Sequence, residues 1–121
     1  SDVFLGGVIA YKNSIKTNFL NVPKTLIEKE GAVSIPVVKE MAEGMLNKFN
    51  SDWSIAVSGL AGPGGGSKEK PVGLVQFCIQ GPLTQSSYTK NFKSNIGREG
   101  IQKLSVLNAL DQLRLLLLNK S

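Results

Sequence analysis

Residues 34–67 read SIPVVKEMAEGMLNKFNSDWSIAVSGLAGPGGGS, and this stretch decides the fold. Its apolar residues recur at positions 37, 41, 45 and 49 and at 38, 42 and 46, the spacing of one face of an α-helix. Ser34 is a good N-cap and Pro36 is tolerated in a first turn, so a helix is predicted over 35–49. Trp53–Ser58 (WSIAVS) then predicts a buried strand that runs into a glycine-dense loop.

Upstream of this stretch, the chain predicts one strand and two short helices. Val3–Tyr11 (VFLGGVIAY) is apolar and carries a glycine pair, which predicts a buried strand with a close backbone approach. A short helix is predicted over Asn13–Leu20. A second is predicted from Pro23 to Glu30, because proline suits a first helical turn and Gly31 ends the pattern.

Downstream, the sequence predicts two more strands and a long helix. The strands are Val72–Gln80 and Ser87–Lys93, and the helix runs from Arg98 to about Asn119. This helix repeats apolar residues on one predicted face: Ile101, Leu104, Leu107, Leu110, Leu113 and Leu117. The order of elements predicts the α/β class. We expect a single three-layer-type domain over residues 1–121, with a mixed sheet flanked by helices.

The composition excludes several kinds of catalytic site. The chain contains no histidine and one cysteine, Cys78. A Ser-His-Asp triad, a Cys-His pair and an imidazole zinc site are therefore excluded, as are an internal disulfide and a multi-cysteine metal site. We expect no metal and no cofactor, and any proton chemistry must use Lys, Tyr, Asp, Glu or the backbone. A single thiol suits a reducing cytosol, so a cytoplasmic location is expected.

The charge balance favours an anionic partner. Lysine and arginine number 14 against 9 acidic residues, a formal net charge of +5. Nucleic acid, acidic lipid and a small phosphorylated ligand all fit that sign. The basic residues are scattered singly and aromatics make up only 7%, which argues against a nucleic-acid surface. No apolar run is long enough to span a bilayer, so no membrane partner is expected.

Two segments are candidates for a functional site. Glycines in Gly59–Ser67, at the end of a strand, would let backbone N–H groups approach an anion closely. This segment is neither a Walker P-loop nor a Gly-x-Gly-x-x-Gly helix start. The second candidate is Tyr11–Lys16 (YKNSIK), at a strand-to-helix junction, where a lysine of lowered pKa would be able to act as a base.

Three blocks of this sequence resemble one protein family. They are residues 4–16 (FLGGVIAYKNSIK), 31–44 (GAVSIPVVKEMAEG) and 56–73 (AVSGLAGPGGGSKEKPVG). Together they resemble the C-terminal domain of the competence/damage-inducible protein (CinA) family, the nicotinamide-nucleotide amidase domain. The resemblance covers nearly the whole chain. It also implies an extra helix-strand unit before the matched part, so the chain is expected to be N-terminally incomplete.

The resemblance implies hydrolysis of the carboxamide of nicotinamide mononucleotide to nicotinate mononucleotide and ammonia, in pyridine-nucleotide salvage. It places a nucleophilic serine at Ser1, a tyrosine at Tyr11 and a basic lysine at Lys16, and it places Ser58 and Arg98 at the nucleotide. The loop residues implied to hold the substrate or its oxyanion are Gly59, Ala61, Gly62 and Gly64. A Ser–Lys pair suits an amidase without histidine, because lysine is a known substitute for the base. The family also implies a homodimer.

Two alternatives remain open at the level of sequence. One is a catalytically inactive nucleotide-binding or assembly domain of the same fold. The other is an N-terminal-nucleophile hydrolase, in which Ser1 attacks with its own α-amine as base. A blocked or extended N-terminus would distinguish this second alternative from the Ser–Lys amidase.

Overall fold

The computed structural model of the protein describes residues 3–10 and 12–119. Its elements are α1 (Asn13–Asn18), α2 (Lys24–Glu30), α3 (Ile35–Phe49), β1 (Ser54–Gly59), β2 (Leu74–Gln80), β3 (Gln85–Asn91), a 3₁₀ turn (Ser94–Ile96) and α4 (Gly97–Asn119). The α/β class is thus confirmed. Residues 60–73, which connect β1 to β2, are called the glycine loop below.

The sheet has three strands in the order β1-β2-β3, and both pairings are antiparallel. Among the described residues it is therefore an antiparallel sheet, where a mixed sheet was expected. The difference arises at the start of the chain, because residues 4–10 have no strand structure. The strand predicted over Val3–Tyr11 was wrong for its described part. The β propensity of a residue reflects how well its side chain packs on neighbouring strands. No described strand lies beside this segment, and Val3 and Ile9 are 93% and 88% exposed.

Two cores lie on opposite faces of the sheet, which makes the domain three layers deep. On one face, α1–α3 and the segments between them pack around Leu20, Val22, Ile27, Val37, Val38, Met41, Ala42, Ala56 and Cys78. On the other face, α4 packs through Ile101 and Ala109 onto Val75 and Phe77 of β2. The central strand β2 therefore contributes side chains to both cores, as the alternation of a strand requires.

The helix α3 has the bounds that the sequence predicts, but its start is held differently. Ser34 precedes the helix, yet its hydroxyl does not cap it. The Ser34 Oγ instead donates to the carbonyl oxygen of Gly31 at 2.8 Å. Asn50 ends α3 in the left-handed region, with φ at 49°, a conformation that asparagine tolerates better than most residues.

The helix α4 buries a different face from the one predicted. Its buried residues are Ile101, Ser105 and Ala109, at i, i+4 and i+8. Leu107 and Leu110, on the predicted face, are 57% and 54% exposed. Small side chains at 105 and 109 let the helix approach Phe77 and Val75 closely, and this packing outweighs the burial of the leucines. Within residues 3–10 and 12–119, no helix combines the length and apolar character needed to cross a bilayer.

Candidate functional site

A broad open groove of about 1410 Å³ lies between residues 3–10, the end of β1 and one side of α4. Several residues singled out from the sequence line it: Lys16, Ser58, Gly59, Ala61 and Arg98. The structure therefore brings together residues that lie up to 82 positions apart in the chain. A smaller cleft of about 390 Å³ between α1 and α2 contains none of them.

Of the remaining predicted site residues, the two that the structure describes, Gly62 and Gly64, do not line the groove. Gly62 is buried behind it, and Gly64 is exposed, with open space where a Cβ would stand. Ser1 and Tyr11 lie outside the described residues. Their roles rest on the family resemblance alone.

Lys16 is a buried lysine, only 5% exposed, near the end of the short helix α1. Its Nζ donates a hydrogen bond to the carbonyl oxygen of Ala10 at 2.9 Å. Among the described residues no carboxylate forms an ion pair with it. Burial lowers the pKa of the Lys16 ammonium below that of an ordinary lysine. A larger fraction of neutral amine at physiological pH is what a general base requires.

Ser58 lies on β1, one residue before the strand ends. It is half-buried, and its Oγ donates to the carbonyl oxygen of Ala32 at 2.9 Å. The hydroxyl proton is thus already engaged within the protein. In this arrangement the Ser58 oxygen can still accept a hydrogen bond from a hydroxyl or amide N–H group of a ligand.

The two ends of the glycine loop are hydrogen-bonded to each other and to the start of β2, while residues 63–69 are exposed. The Leu60 N–H donates to the Leu74 carbonyl at 2.9 Å, and the Gly73 N–H donates to the Leu60 carbonyl at 2.7 Å. Gly62 has φ at +80°, and a Cβ there would lie 2.7 Å from Cγ1 of Val72. Both the left-handed backbone and the close contact require glycine at this position.

Arg98 joins the glycine loop to α4. It is the second residue of that helix, and its Nη1 donates to the carbonyl oxygen of Gly62 at 3.1 Å. The guanidinium is exposed at the rim of the groove, where its planar fork of donors suits a phosphate or carboxylate. Gln102, one turn further along α4, also lines the groove.

Apolar side chains form much of the remaining groove lining. Its walls include Phe4, Met45, Phe49 and Trp53 on one side and apolar residues of α4 on the other. Small-molecule pockets usually measure about 300–1,000 Å³. This groove is larger, and its polar and cationic lining residues include Lys16, Ser58 and Arg98.

No metal centre is found in the part of the chain that the structure describes. Within residues 3–10 and 12–119, no three His, Cys, Asp or Glu side chains lie close enough to hold a metal ion. Cys78 is fully buried and free, and burial raises the pKa of its thiol. Cys78 therefore packs as a small apolar residue of the core.

The sequence analysis did not single out Lys70, a residue of the glycine loop. The Nζ of Lys70, in the glycine loop, donates to the carbonyl oxygen of Glu30 at 2.7 Å, across 40 positions of sequence. Its signal in the sequence was its place directly before Pro71 in the block GGGSKEKPVG, which carries the family resemblance.

Comparison with known proteins identifies the family. The family described as "CinA C-terminal domain" matches residues 1–117. A CinA-like protein of Prochlorococcus marinus is 60% identical over 121 residues, covering all of this chain and 29% of that protein. A CinA-like protein of Synechococcus sp. (strain CC9902) is 52% identical, with the same coverage of each chain. The chain thus spans less than a third of the length of these curated relatives.

Solved structures agree in fold as well as sequence. The competence/damage inducible protein CihA from Agrobacterium tumefaciens superimposes with a TM-score of 0.84 at 36% identity, covering 88% of this chain and 64% of that one. A competence-damaged protein (CinA) superfamily protein from Escherichia coli gives a TM-score of 0.82 at 32% identity, covering 88% and 60%. Family model, relatives and solved structures agree, and the chain belongs to the CinA C-terminal domain family.

Proposed function

We propose that the chain is an amidohydrolase domain that converts nicotinamide mononucleotide to nicotinate mononucleotide and ammonia. The observation that carries this proposal is Lys16. It is a buried lysine of lowered pKa, without a carboxylate partner among the described residues, and it lines the same groove as Ser58 and Arg98. In a chain without histidine, such a lysine is the strongest candidate for a general base.

The proposed chemistry begins with neutral Lys16, which takes the proton of the Ser1 hydroxyl. The Ser1 oxygen attacks the carboxamide carbon, and the C=O electrons move onto the oxygen to form an oxyanion. Backbone N–H groups near Gly59–Gly64 stabilise that oxyanion. When it collapses, the C–N bond breaks and the Lys16 proton goes to the departing nitrogen, which leaves as ammonia. Water, deprotonated by Lys16, then hydrolyses the Ser1 ester, releases the acid and restores the serine.

The other residues bind or orient the substrate. Arg98 pairs with the substrate phosphate, and the net charge of +5 favours an anionic ligand. Ser58, Gly59 and Ala61, which line the groove, form the nucleotide site, and Tyr11 orients the Ser–Lys pair. Gly62 acts behind them, through its carbonyl oxygen on Arg98. The proposal needs neither metal nor cofactor. The proposal also includes a homodimer, which the family resemblance supports. It includes a cytoplasmic location, which the free Cys78 supports because a single thiol suits a reducing compartment.

The test is a mass-spectrometric assay of nicotinamide mononucleotide conversion, run on this chain and on the full-length gene product. Ser1→Ala and Lys16→Ala are the diagnostic variants. We expect turnover in the full-length protein that each substitution abolishes. Turnover that survives both substitutions would disprove the Ser–Lys assignment. Binding without turnover in the full-length protein would identify a nucleotide-binding domain, and activity that requires a free α-amine on Ser1 would identify an N-terminal nucleophile.

A further inference from the structure

Two side chains at the ends of the glycine loop donate hydrogen bonds to the same short turn. Just before the loop, the Ser58 Oγ donates to the carbonyl oxygen of Ala32 at 2.9 Å. Near its end, the Lys70 Nζ donates to the carbonyl oxygen of Glu30 at 2.7 Å. The two acceptors are two residues apart, on either side of Gly31. The glycine loop is therefore held at both ends against the turn that connects α2 to α3.

The Lys70 contact is built closely into this turn. Glu30 is the last residue of α2, so its carbonyl lies at the negative end of the helix, where a cation is stabilised. A Cβ on Gly31 would lie 2.6 Å from the Lys70 Nζ, and Gly31 has φ at +84°. The ammonium thus packs directly against a backbone that only glycine leaves open.

The loop backbone is coupled to this contact. The Lys70 N–H donates to the Ser67 Oγ at 3.0 Å, and the Ser67 N–H donates to the Lys70 carbonyl at 2.9 Å. The same loop presents the Gly62 carbonyl to Nη1 of Arg98. Hydrogen bonds thus join α2 to Lys70 and Ser67, and the loop backbone from Ser67 to Gly62 connects them to the arginine at the groove.

We propose that Lys70 is a positioning residue, which clamps the glycine loop to the Glu30–Ala32 turn and so holds Arg98 for the substrate phosphate. The role of Arg98 rests on the proposed function. The clamp itself is a property of the described contacts. Lys68 is a matched control, because it lies in the same loop and carries the same charge, yet it is exposed and no hydrogen bond of its side chain is found in the described structure.

The first experiment compares amide hydrogen exchange in the full-length gene product with the variants Lys70→Met, Lys70→Arg and Lys68→Met. Loss of a charge-assisted hydrogen bond should make exchange in the glycine loop about tenfold faster in Lys70→Met. Lys68→Met should match the unmodified protein, and Lys70→Arg should restore most of the protection. Should Lys70→Met fail to fold, Lys70→Gln replaces it. Loop exchange in Lys70→Met, or in Lys70→Gln, equal to that of the unmodified protein would overturn the clamp.

The second experiment measures steady-state kinetics with nicotinamide mononucleotide on the same variants. Arg98 is proposed to bind the substrate phosphate equally in the ground state and the transition state. If Lys70→Met misplaces Arg98, KM should therefore rise about tenfold while kcat changes little. Faster loop exchange with an unchanged KM would overturn the positioning of Arg98. If the unmodified protein neither binds nor converts nicotinamide mononucleotide, the proposed function fails, and the exchange comparison decides the clamp by itself.

Discussion

The Lys16 ammonium donates a hydrogen bond across 2.9 Å to the carbonyl oxygen of Ala10, the residue before the junction that the sequence marks as a candidate site. This contact joins α1 to the extended segment of residues 3–10. It also leaves the amine buried without a carboxylate partner among the described residues, which lowers the Lys16 pKa through desolvation. The hydrogen bond to Ala10 therefore fixes the position of the proposed base, and burial lowers its pKa.

The substitution Lys16→Arg separates the hydrogen bond to Ala10 from the ability to act as a base. Arginine keeps a donor for the Ala10 carbonyl but stays protonated, so it is unable to act as a base. We expect kcat for nicotinamide mononucleotide to fall about 10²- to 10⁴-fold in Lys16→Arg, with Lys12→Arg as the exposed control. In the unmodified protein the rate should rise with pH and level off at a pH below the ordinary lysine pKa of about 10.4. Near-normal activity in Lys16→Arg would remove the lysine from catalysis.

Arg98→Gln should weaken substrate binding more than it slows turnover. A charged hydrogen bond to an anionic ligand contributes about 1.5–3 kcal/mol, so KM is expected to rise about 10- to 100-fold. Arg114→Gln is the control, because Arg114 lies on the same helix and pairs with Asp111 on the exposed surface. Steady-state kinetics at two salt concentrations provides the measurement. An equal loss in both variants would mean that net charge, and not the position of Arg98, is responsible.

Tyr88 should make the fold sensitive to alkaline pH. Its hydroxyl donates to Oδ1 of Asn108 at 2.8 Å, and burial together with the charge of Asp111 raises its pKa to about 12. An unfolded tyrosine titrates near pH 10. Between these values the native state holds a proton that the unfolded state has lost, so the free energy of unfolding falls as pH rises.

Tyr88→Phe removes both the hydrogen bond and this titration. We expect a loss of about 1 kcal/mol at pH 7 and a shallower fall in stability from pH 10 to pH 12. Urea denaturation across that range measures both effects. A parallel decline in the variant and the unmodified protein would assign the alkaline sensitivity to other groups.

The buried face of α4 can be tested by a pair of substitutions. Ala109 is 3% exposed against the sheet, whereas Leu107 is 57% exposed. Ala109→Leu should overpack the contact with β2 and cost about 1–3 kcal/mol of unfolding free energy. Leu107→Ser should change it by no more than about 0.5 kcal/mol. Chemical denaturation measures both losses. If the predicted face of α4 were the buried one, Leu107→Ser would cost more unfolding free energy than Ala109→Leu.

The elements with strong local patterns were predictable from sequence. Helix α3 has the bounds that its periodicity indicates, and β1, β2 and β3 lie within two residues of their predicted positions. In each, the pattern of apolar residues matches the period of the element that buries it. The site was partly predictable too, since Lys16, Ser58 and Arg98, which the resemblance selects, line one groove.

Other features depended on partners far away in the chain. Residues 4–10 are apolar enough for a strand but pair with no strand, and α4 turns its small residues inward because Phe77 and Val75 accept a close helix. The contact that Lys70 makes depends on Glu30, forty positions earlier, which presents a helix-end carbonyl to it. The amino-acid sequence by itself determined the elements, the family and the chemistry that histidine-free composition allows. Tertiary structure decided which lysine is desolvated and which is clamped, because burial and hydrogen bonding are set by neighbours that local spacing does not specify.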